Sequence, residues 1–316
     1  MKLLSRIIKI LLLSIGFLVI LILSLYGHRD ISLEELKEQY APSPSSFLSV
    51  DGMEVHYRDE GDSRDSIPIV LIHGTGASLH TFDEWSAQLK SNFRVIRMDL
   101  PAYGLTGPFP NRDYSIDNYV HFIRQFLSVH GIEKCILGGN SLGGNIAWRF
   151  TAKNPQMVDQ LILIDAAGYP NRSKSVPLAF KIAQLPILRH IFTFITPRFV
   201  AKQSVENVYA DKTKVTYSLV DRYFELTLRE GNRRAFIDRF DAKKDTSAYQ
   251  KIKSIKQRTL VLWGDQDNLI PKEKAHQFHN DLQNDTLVIL KGVGHVPMEE
   301  NPDQSLKAVI SFLNSP

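Results

Sequence analysis

The chain holds one cysteine, Cys135, in 316 residues, so no internal disulfide can brace the fold. It lies in the apolar run Cys135-Ile136-Leu137, where a thiol reads as buried packing rather than a redox group. No His/Cys cluster has metal-ligand spacing, which argues against a metal centre. Charge of one sign is also scarce: 38 Lys and Arg against 34 Asp and Glu leave +4, the basic residues are scattered, and no recognition motif for nucleic acid occurs. There is no internal repeat. What remains is a chain of 43% hydrophobic residues, enough for one large core or two small ones.

The longest apolar run stands at the N-terminus. Ile10 to Tyr26 contains only apolar residues plus Ser14, Gly16 and Ser24, and Leu3 to Ile8 extends it. A helix of this length can span about 30 Å of hydrocarbon. Lys2, Arg6 and Lys9 precede it, whereas Arg29 and Asp30 follow, so the positive-inside rule puts the N-terminus in the cytoplasm and the rest outside, in a periplasm or lumen. A cleaved signal peptide is the rival reading, but the bulky tyrosine makes Ser24-Leu25-Tyr26 a poor cleavage site. Residues 1–27 are therefore expected to anchor the chain in a membrane. Ser32 to Tyr40 reads as a short amphipathic helix and Pro42 to Ser46 as linker, so 28–46 is expected to connect anchor and domain, and removal of everything before about Ser46 is expected to leave a soluble, active domain.

From residue 47 to 316 the pattern is α/β. Phe47 to Val50 and Met53 to Arg58 flank Asp51-Gly52, a strong hairpin signal. Apolar strands follow at Ile69 to Ile72, Arg94 to Met98, Lys134 to Leu137, Leu161 to Ile164, Thr259 to Trp263 and Thr286 to Leu290, separated by amphipathic segments such as Ile116 to Val129. Such alternation predicts a mostly parallel sheet covered by helices on both faces. It breaks at about 169–250, where helical patterns replace strands and, from Arg172 to Gln250, 15 Lys and Arg stand against 8 Asp and Glu, a balance of +7.

The chemistry concentrates after three of those strands. Gly139-Asn140-Ser141-Leu142-Gly143 follows an apolar strand and opens a helical stretch, the context in which G-x-S-x-G becomes a nucleophile elbow. Small residues beside Ser141 permit a sharp turn, and the Leu142 amide then points to where an oxyanion would form. A serine hydroxyl needs a histidine base and an acid to fix that base's tautomer. Asp267 follows the strand ending at Trp263, and His295 follows the strand ending at Leu290, which gives the chain order Ser, Asp, His. Asp265, two residues from Asp267, and Asp165, after the strand ending at Ile164, are alternative acids.

These motifs resemble the α/β-hydrolase superfamily from about Phe47 onward. His73-Gly74-Thr75-Gly76 resembles the loop that lends the second oxyanion-hole amide, which the resemblance assigns to Thr75 beside Leu142. Asp99-Leu100-Pro101-Ala102-Tyr103-Gly104 is similar to the family's D-x-P-G-x-G turn with alanine for the first glycine. Gly294 to Glu299 looks like the histidine loop of esterases, lipases and epoxide hydrolases, and the family spacing selects Asp267 over Asp265. His73 is expected to brace its loop, and His28, His56, His80, His121, His130, His190, His276 and His279 to be surface or packing residues.

The resemblance implies an α/β-hydrolase fold with a helical cap inserted after the sixth sheet strand, building a pocket above Ser141. Ser141 argues against dehalogenases and epoxide hydrolases, which carry Asp there. Carbon-carbon hydrolases of meta-cleavage products share the G-N-S-x-G-G elbow but usually carry an aromatic residue, often Trp, just after the histidine, where this chain has Val296, Pro297 and Met298. The expected activity is therefore carboxylic ester hydrolysis, esterase- or lipase-like, on a small ester or acyl-lipid and without a cofactor. The alternatives are carbon-carbon hydrolysis and a non-catalytic, membrane-tethered binding protein.

Overall fold

The structure is a computed structural model that describes residues 2–64, 67–186, 188–243 and 245–315. Met1, Asp65, Ser66, Ile187, Lys244 and Pro316, which fall within the expected ranges 1–27, 169–250 and 47–316, lie outside the described residues. Helices α1 (Lys2–Tyr26) and α2 (Leu33–Tyr40) precede an eight-stranded sheet. Its strands are β1 (Ser45–Val50), β2 (Met53–Glu60), β3 (Ile69–Ile72), β4 (Val95–Met98), β5 (Cys135–Asn140), β6 (Val158–Ile164), β7 (Arg258–Gly264) and β8 (Asp285–Leu290). They run in the order β1-β2-β4-β3-β5-β6-β7-β8. The first two pair antiparallel, with Asp51 and Gly52 both at positive φ in a two-residue turn between Val50 and Met53. From β4 across to β8 every pairing is parallel.

The inner parallel strands are covered on both faces and are mostly apolar, with the buried Arg97 of β4 paired to Glu60 and Asp83. In β3, Ile69 and Leu71 share a core with Trp85 of α3 (Asp83–Leu89) and Phe312 of the C-terminal helix, while Val70 and Ile72 join Phe122 of α4 (Ile116–Val129) and Ile146 of α5 (Leu142–Lys153) on the other side. Cys135 is buried at the start of β5, and burial pushes its thiol pKa up to about 12, so it is no nucleophile near neutral pH.

Between β6 and β7 stands the cap, built from α6 (Leu178–Ala183), α7 (Leu188–Ile191), α8 (Arg198–Val208), α9 (Tyr217–Leu228) and α10 (Asn232–Asp241). Pro186, which cannot donate to a helical ladder, lies between α6 and α7. Helices α11 (Glu273–Asp281), α12 (Pro297–Glu300) and α13 (Pro302–Asn314) complete the chain.

The stretch 28–46 differs from the expected linker. The expected short helix forms, with Ser32 as its N-cap, but Leu36 and Tyr40 are buried with Leu105 and Leu226, and the Tyr40 hydroxyl donates to Glu225 of α9 at 2.6 Å. Asp30 accepts from the buried Arg233 of α10, which also donates to the His28 carbonyl. An amphipathic eight-residue segment has nowhere to hide its apolar face except against a neighbour, and here the cap supplies it. A chain starting at Ser46 is thus expected to lose at least about 5 kcal/mol, from two emptied apolar sites and one orphaned buried charge, an amount near the whole stability of a domain. Urea midpoints of chains starting at Gly27 and at Ser46 check this; equal midpoints would restore the linker reading.

Candidate active site

Strand β5 ends at Asn140 and α5 begins at Leu142, so Ser141 alone makes the turn, at φ 55° and ψ −112°. That positive φ in a non-glycine residue is strained, and the turn holds because its neighbours leave no alternative. A Cβ on Gly143 would come within 2.1 Å of the Ile72 carbonyl oxygen, which explains the glycine: α5 abuts the end of β3 with no room for a side chain. The Ser141 amide donates to the Ile164 carbonyl, and its own carbonyl accepts from Ala167 and Asn145. Leu142, as the first residue of α5, has an amide without an intrahelical partner at the positive end of the helix dipole.

His295 Nδ1 lies 2.6 Å from Asp267 Oδ2, and both residues are buried. The other Asp267 oxygen accepts from the amides of Leu269 at 2.8 Å and Ile270 at 2.9 Å, so the carboxylate is held on both sides. The His295 amide donates to the Val208 carbonyl at the end of α8, and Asn140 donates to the His295 carbonyl. Glu300 ties the same loop to the cap by accepting from Gly294, Ala210 and Asp211. Ser141, Thr75 and His295 line one cavity of about 850 Å³, open to solvent, whose remaining wall is mostly apolar and includes Phe192, Val200, Phe224 and Phe236 of the cap.

The two alternative acids part company in space. Asp265 Oδ1 accepts from the Gly292 amide at 2.7 Å and braces the histidine loop from outside. Asp165 is fully buried at φ 44°, with Oδ1 accepting from the Gly264 amide and Oδ2 without a partner among the described residues. Its carboxyl lies within 4.8 Å of both Asp267 and His295. Burial first, and then the Asp267 charge, push its pKa far above the carboxylate range, so it sits neutral behind the pair. Two carboxyls and an imidazole this close match metal-ligand spacing, but His295 Nδ1 already faces Asp267, whose other oxygen is taken up by the Leu269 and Ile270 amides.

Beneath the Thr75 loop lies a buried network that sequence reasoning missed. His56, expected as a surface or packing residue, is fully buried, and its Nδ1 sits 2.7 Å from Oδ2 of the equally buried Asp99. Asp99 also accepts from the amides of Leu79 and Leu105. His80 is likewise buried and bonds the Tyr40 carbonyl at 2.8 Å. His73 accepts from the Leu100 amide at Nε2 and donates from Nδ1 to the Gly74 carbonyl, the bracing role its position predicts. No one-dimensional signal marks His56, because β2 lies inside the sheet and buries residues on both of its faces. In the adjoining turn Ala102 takes φ 83°, the left-handed conformation a glycine adopts freely, at a cost of about 1–2 kcal/mol.

This network sets an acid limit. Burial, helped by Arg222 and Arg58 and opposed by Asp99 and Asp83, lowers the His80 pKa to about 4. The unfolded chain takes up that proton near pH 6.5, so between about 6.5 and 4 it binds more protons than the folded chain and stability falls as pH falls. His73, lowered by burial, acts in the same sense. Unfolding free energies from urea melts are expected to fall between pH 7 and 5, with a limiting slope of about 1.4 kcal/mol per pH unit from His80, and His80→Gln to flatten part of that slope. An unchanged slope in that variant would contradict the assignment.

A family model described as alpha/beta hydrolase fold matches residues 67–302. Lipase 1 of Psychrobacter immobilis is 27% identical over 273 residues, covering 82% of this chain and 80% of that protein. The 2-hydroxy-6-oxo-6-(2'-aminophenyl)hexa-2,4-dienoic acid hydrolase of Metapseudomonas resinovorans is 25% identical over 278 residues, covering 85% and 90%. A solved structure described as a membrane phospholipase A superimposes with a TM-score of 0.73 at 22% identity, covering 99% of this chain and 98% of that one, a likeness of fold.

Proposed function

Since the chain belongs to the alpha/beta hydrolase fold family and is on that ground a hydrolase, we propose that it cleaves carboxylic esters by acyl transfer through Ser141. In this reading Ser141 Oγ attacks the ester carbonyl while His295 takes its proton and returns it to the leaving alcohol. Asp267 holds the imidazole by Nδ1 and stabilises its charged form, and the amides of Leu142 and Thr75 receive the oxyanion. Water activated by His295 then cleaves the acyl-enzyme. No cofactor enters these steps.

The observation that carries the ester reading is the cavity wall. The dienoic acid hydrolases among the relatives are named for substrates that bear a carboxylate. Among the described residues lining this cavity there is no Lys or Arg, so such an anion would lie unpaired against Phe192, Phe224 and Phe236 at a cost of several kcal/mol. An acyl chain suits the same wall. The chain following His295, Val296-Pro297-Met298, is aliphatic as well. Nitrophenyl esters of increasing acyl length, run beside a meta-cleavage product, test the reading: turnover rising with acyl length is expected, and faster cleavage of the meta-cleavage product would overturn it. Covalent labelling by a fluorophosphonate separates an enzyme from a binding protein.

Leu4–Tyr26 is a helix long and apolar enough to cross a membrane, which supports a membrane segment; the uncleaved anchor with the N-terminus cytoplasmic and the hydrolase outside rests on the poor cleavage site at Ser24-Leu25-Tyr26 and on Lys2, Arg6 and Lys9 before the span. An N-terminal sequence beginning near Gly27 in the mature protein would convert the anchor to a cleaved signal.

A further inference from the structure

The end of α1 is stitched to the cap beside the cavity. Gly27 pairs with Ile195, the Thr196 amide donates to the Tyr26 carbonyl, and the Tyr26 ring meets the Phe199 ring edge-on at 6.3 Å. Around that junction the cap exposes large apolar side chains where a water-facing surface would bury them or replace them with polar ones: Phe194 is 69% exposed, and Leu185, Ile191 and Phe199 are each more than 40% exposed. Within the same elements, alternate residues face inward, since Phe192, Thr196 and Val200 line the cavity. The outer apolar surface and the cavity wall are therefore two sides of one layer of cap.

We propose that this rim of Leu185, Ile191, Phe194 and Phe199 is seated in the lipid surface at the foot of α1, and that the cavity behind it draws its acyl substrate from the bilayer. The inference rests on the anchor and ester readings above. Three observations favour a bilayer as the occupant. A helix long enough to cross a membrane ends at the rim, so the rim is held at the bilayer surface. The rim is aromatic and aliphatic, the composition that partitions to the boundary between headgroups and acyl chains. The cap carries the +7 excess of basic residues noted above, which suits anionic headgroups.

The test uses the full chain in vesicles of phosphatidylcholine and phosphatidylglycerol with brominated acyl chains. Trp85, Trp148 and Trp263 are buried and provide a constant background. Phe194→Trp adds a reporter on the rim, and Val129→Trp adds one on an exposed site at the end of α4. Emission from the added Trp is expected to fall by about half at position 194 and to stay unquenched at 129, as for a side chain sunk to the acyl boundary. Equal quenching at the two sites, in vesicles that float with the protein, overturns the proposal. A failure of the anchor reading is distinct, because the chain would then not float.

Ile191→Glu/Phe194→Glu adds a functional arm, since neither side chain lines the cavity. Turnover of a long-chain ester embedded in the vesicles is expected to fall about tenfold or more, with a short water-soluble ester changed by less than about twofold. Equal losses on both esters would make the rim part of the catalytic fold and overturn the proposal. If the wild-type chain cleaves neither ester, the ester reading fails on its own, and the quenching arm still decides where the rim lies.

Discussion

Ser141→Ala is expected to fold with wild-type stability and to lose ester turnover by at least about four orders of magnitude. The expected loss is that large because nucleophile and base act as a unit, so that removing one disables the other. Stability is expected to hold because the strain of the elbow lies in its backbone, at φ 55°, which alanine bears as serine does. The interactions that fix the turn are made by the backbone of residue 141 with Ile164, Ala167 and Asn145, and a change at Oγ leaves them intact. Single-turnover kinetics on a nitrophenyl ester, with the urea midpoint as a folding control, read both parts. Turnover within tenfold of wild type in a folded variant would remove Ser141 from the mechanism.

Asp267→Asn is expected to cost up to about 10⁴ in turnover near neutral pH, because an amide favours the wrong histidine tautomer. The tertiary structure adds a condition absent from the sequence. Asp165 is kept neutral by burial and by the Asp267 charge. Replacing Asp267 with a neutral residue takes away the second cause and leaves the first, so the Asp165 pKa should fall, though not to the ordinary carboxylate range. As pH rises in the Asp267→Asn variant, Asp165 ionises within 4.8 Å of His295 and should restore part of the lost rate. Asp165→Asn in the wild-type background removes no charge and is expected to be mild, as is Asp265→Asn, whose side chain only braces Gly292. The pH-rate profiles of the three single variants and of Asp165→Asn/Asp267→Asn check this. Recovery at high pH that persists in the double variant would exclude Asp165 as the reserve, and a larger loss at Asp265 than at Asp267 would reverse the choice of acid.

The parts of this site that could be read in one dimension are those encoded by short stretches of backbone. The Asp51-Gly52 hairpin, the strand-Ser141-helix elbow and the loops that carry Asp267 and His295 each depend on a few adjacent residues and their allowed torsions. The alternation of apolar strands with amphipathic helices marks the sheet's class for the same reason: a strand covered on both faces is mostly apolar.

What only the tertiary structure decided is which distant side chains meet. The sequence treated 28–46 as a connector, because nothing within it reveals that Arg233 and Leu226, two hundred residues away, complete its buried face. Asp165 is an alternative acid by position in the chain, whereas the adjacent β6 and β7 bring the two carboxyls side by side, and burial, reinforced by the Asp267 charge, keeps Asp165 neutral. The burial of His56 beside Asp99 depends on β2 lying next to β4, and the placement of Phe194 and Phe199 at the end of α1 depends on how the cap closes. Torsional preference is local and is written in neighbouring residues. Desolvation and charge coupling act through space, and their magnitude is set by whatever the fold packs within a few ångströms.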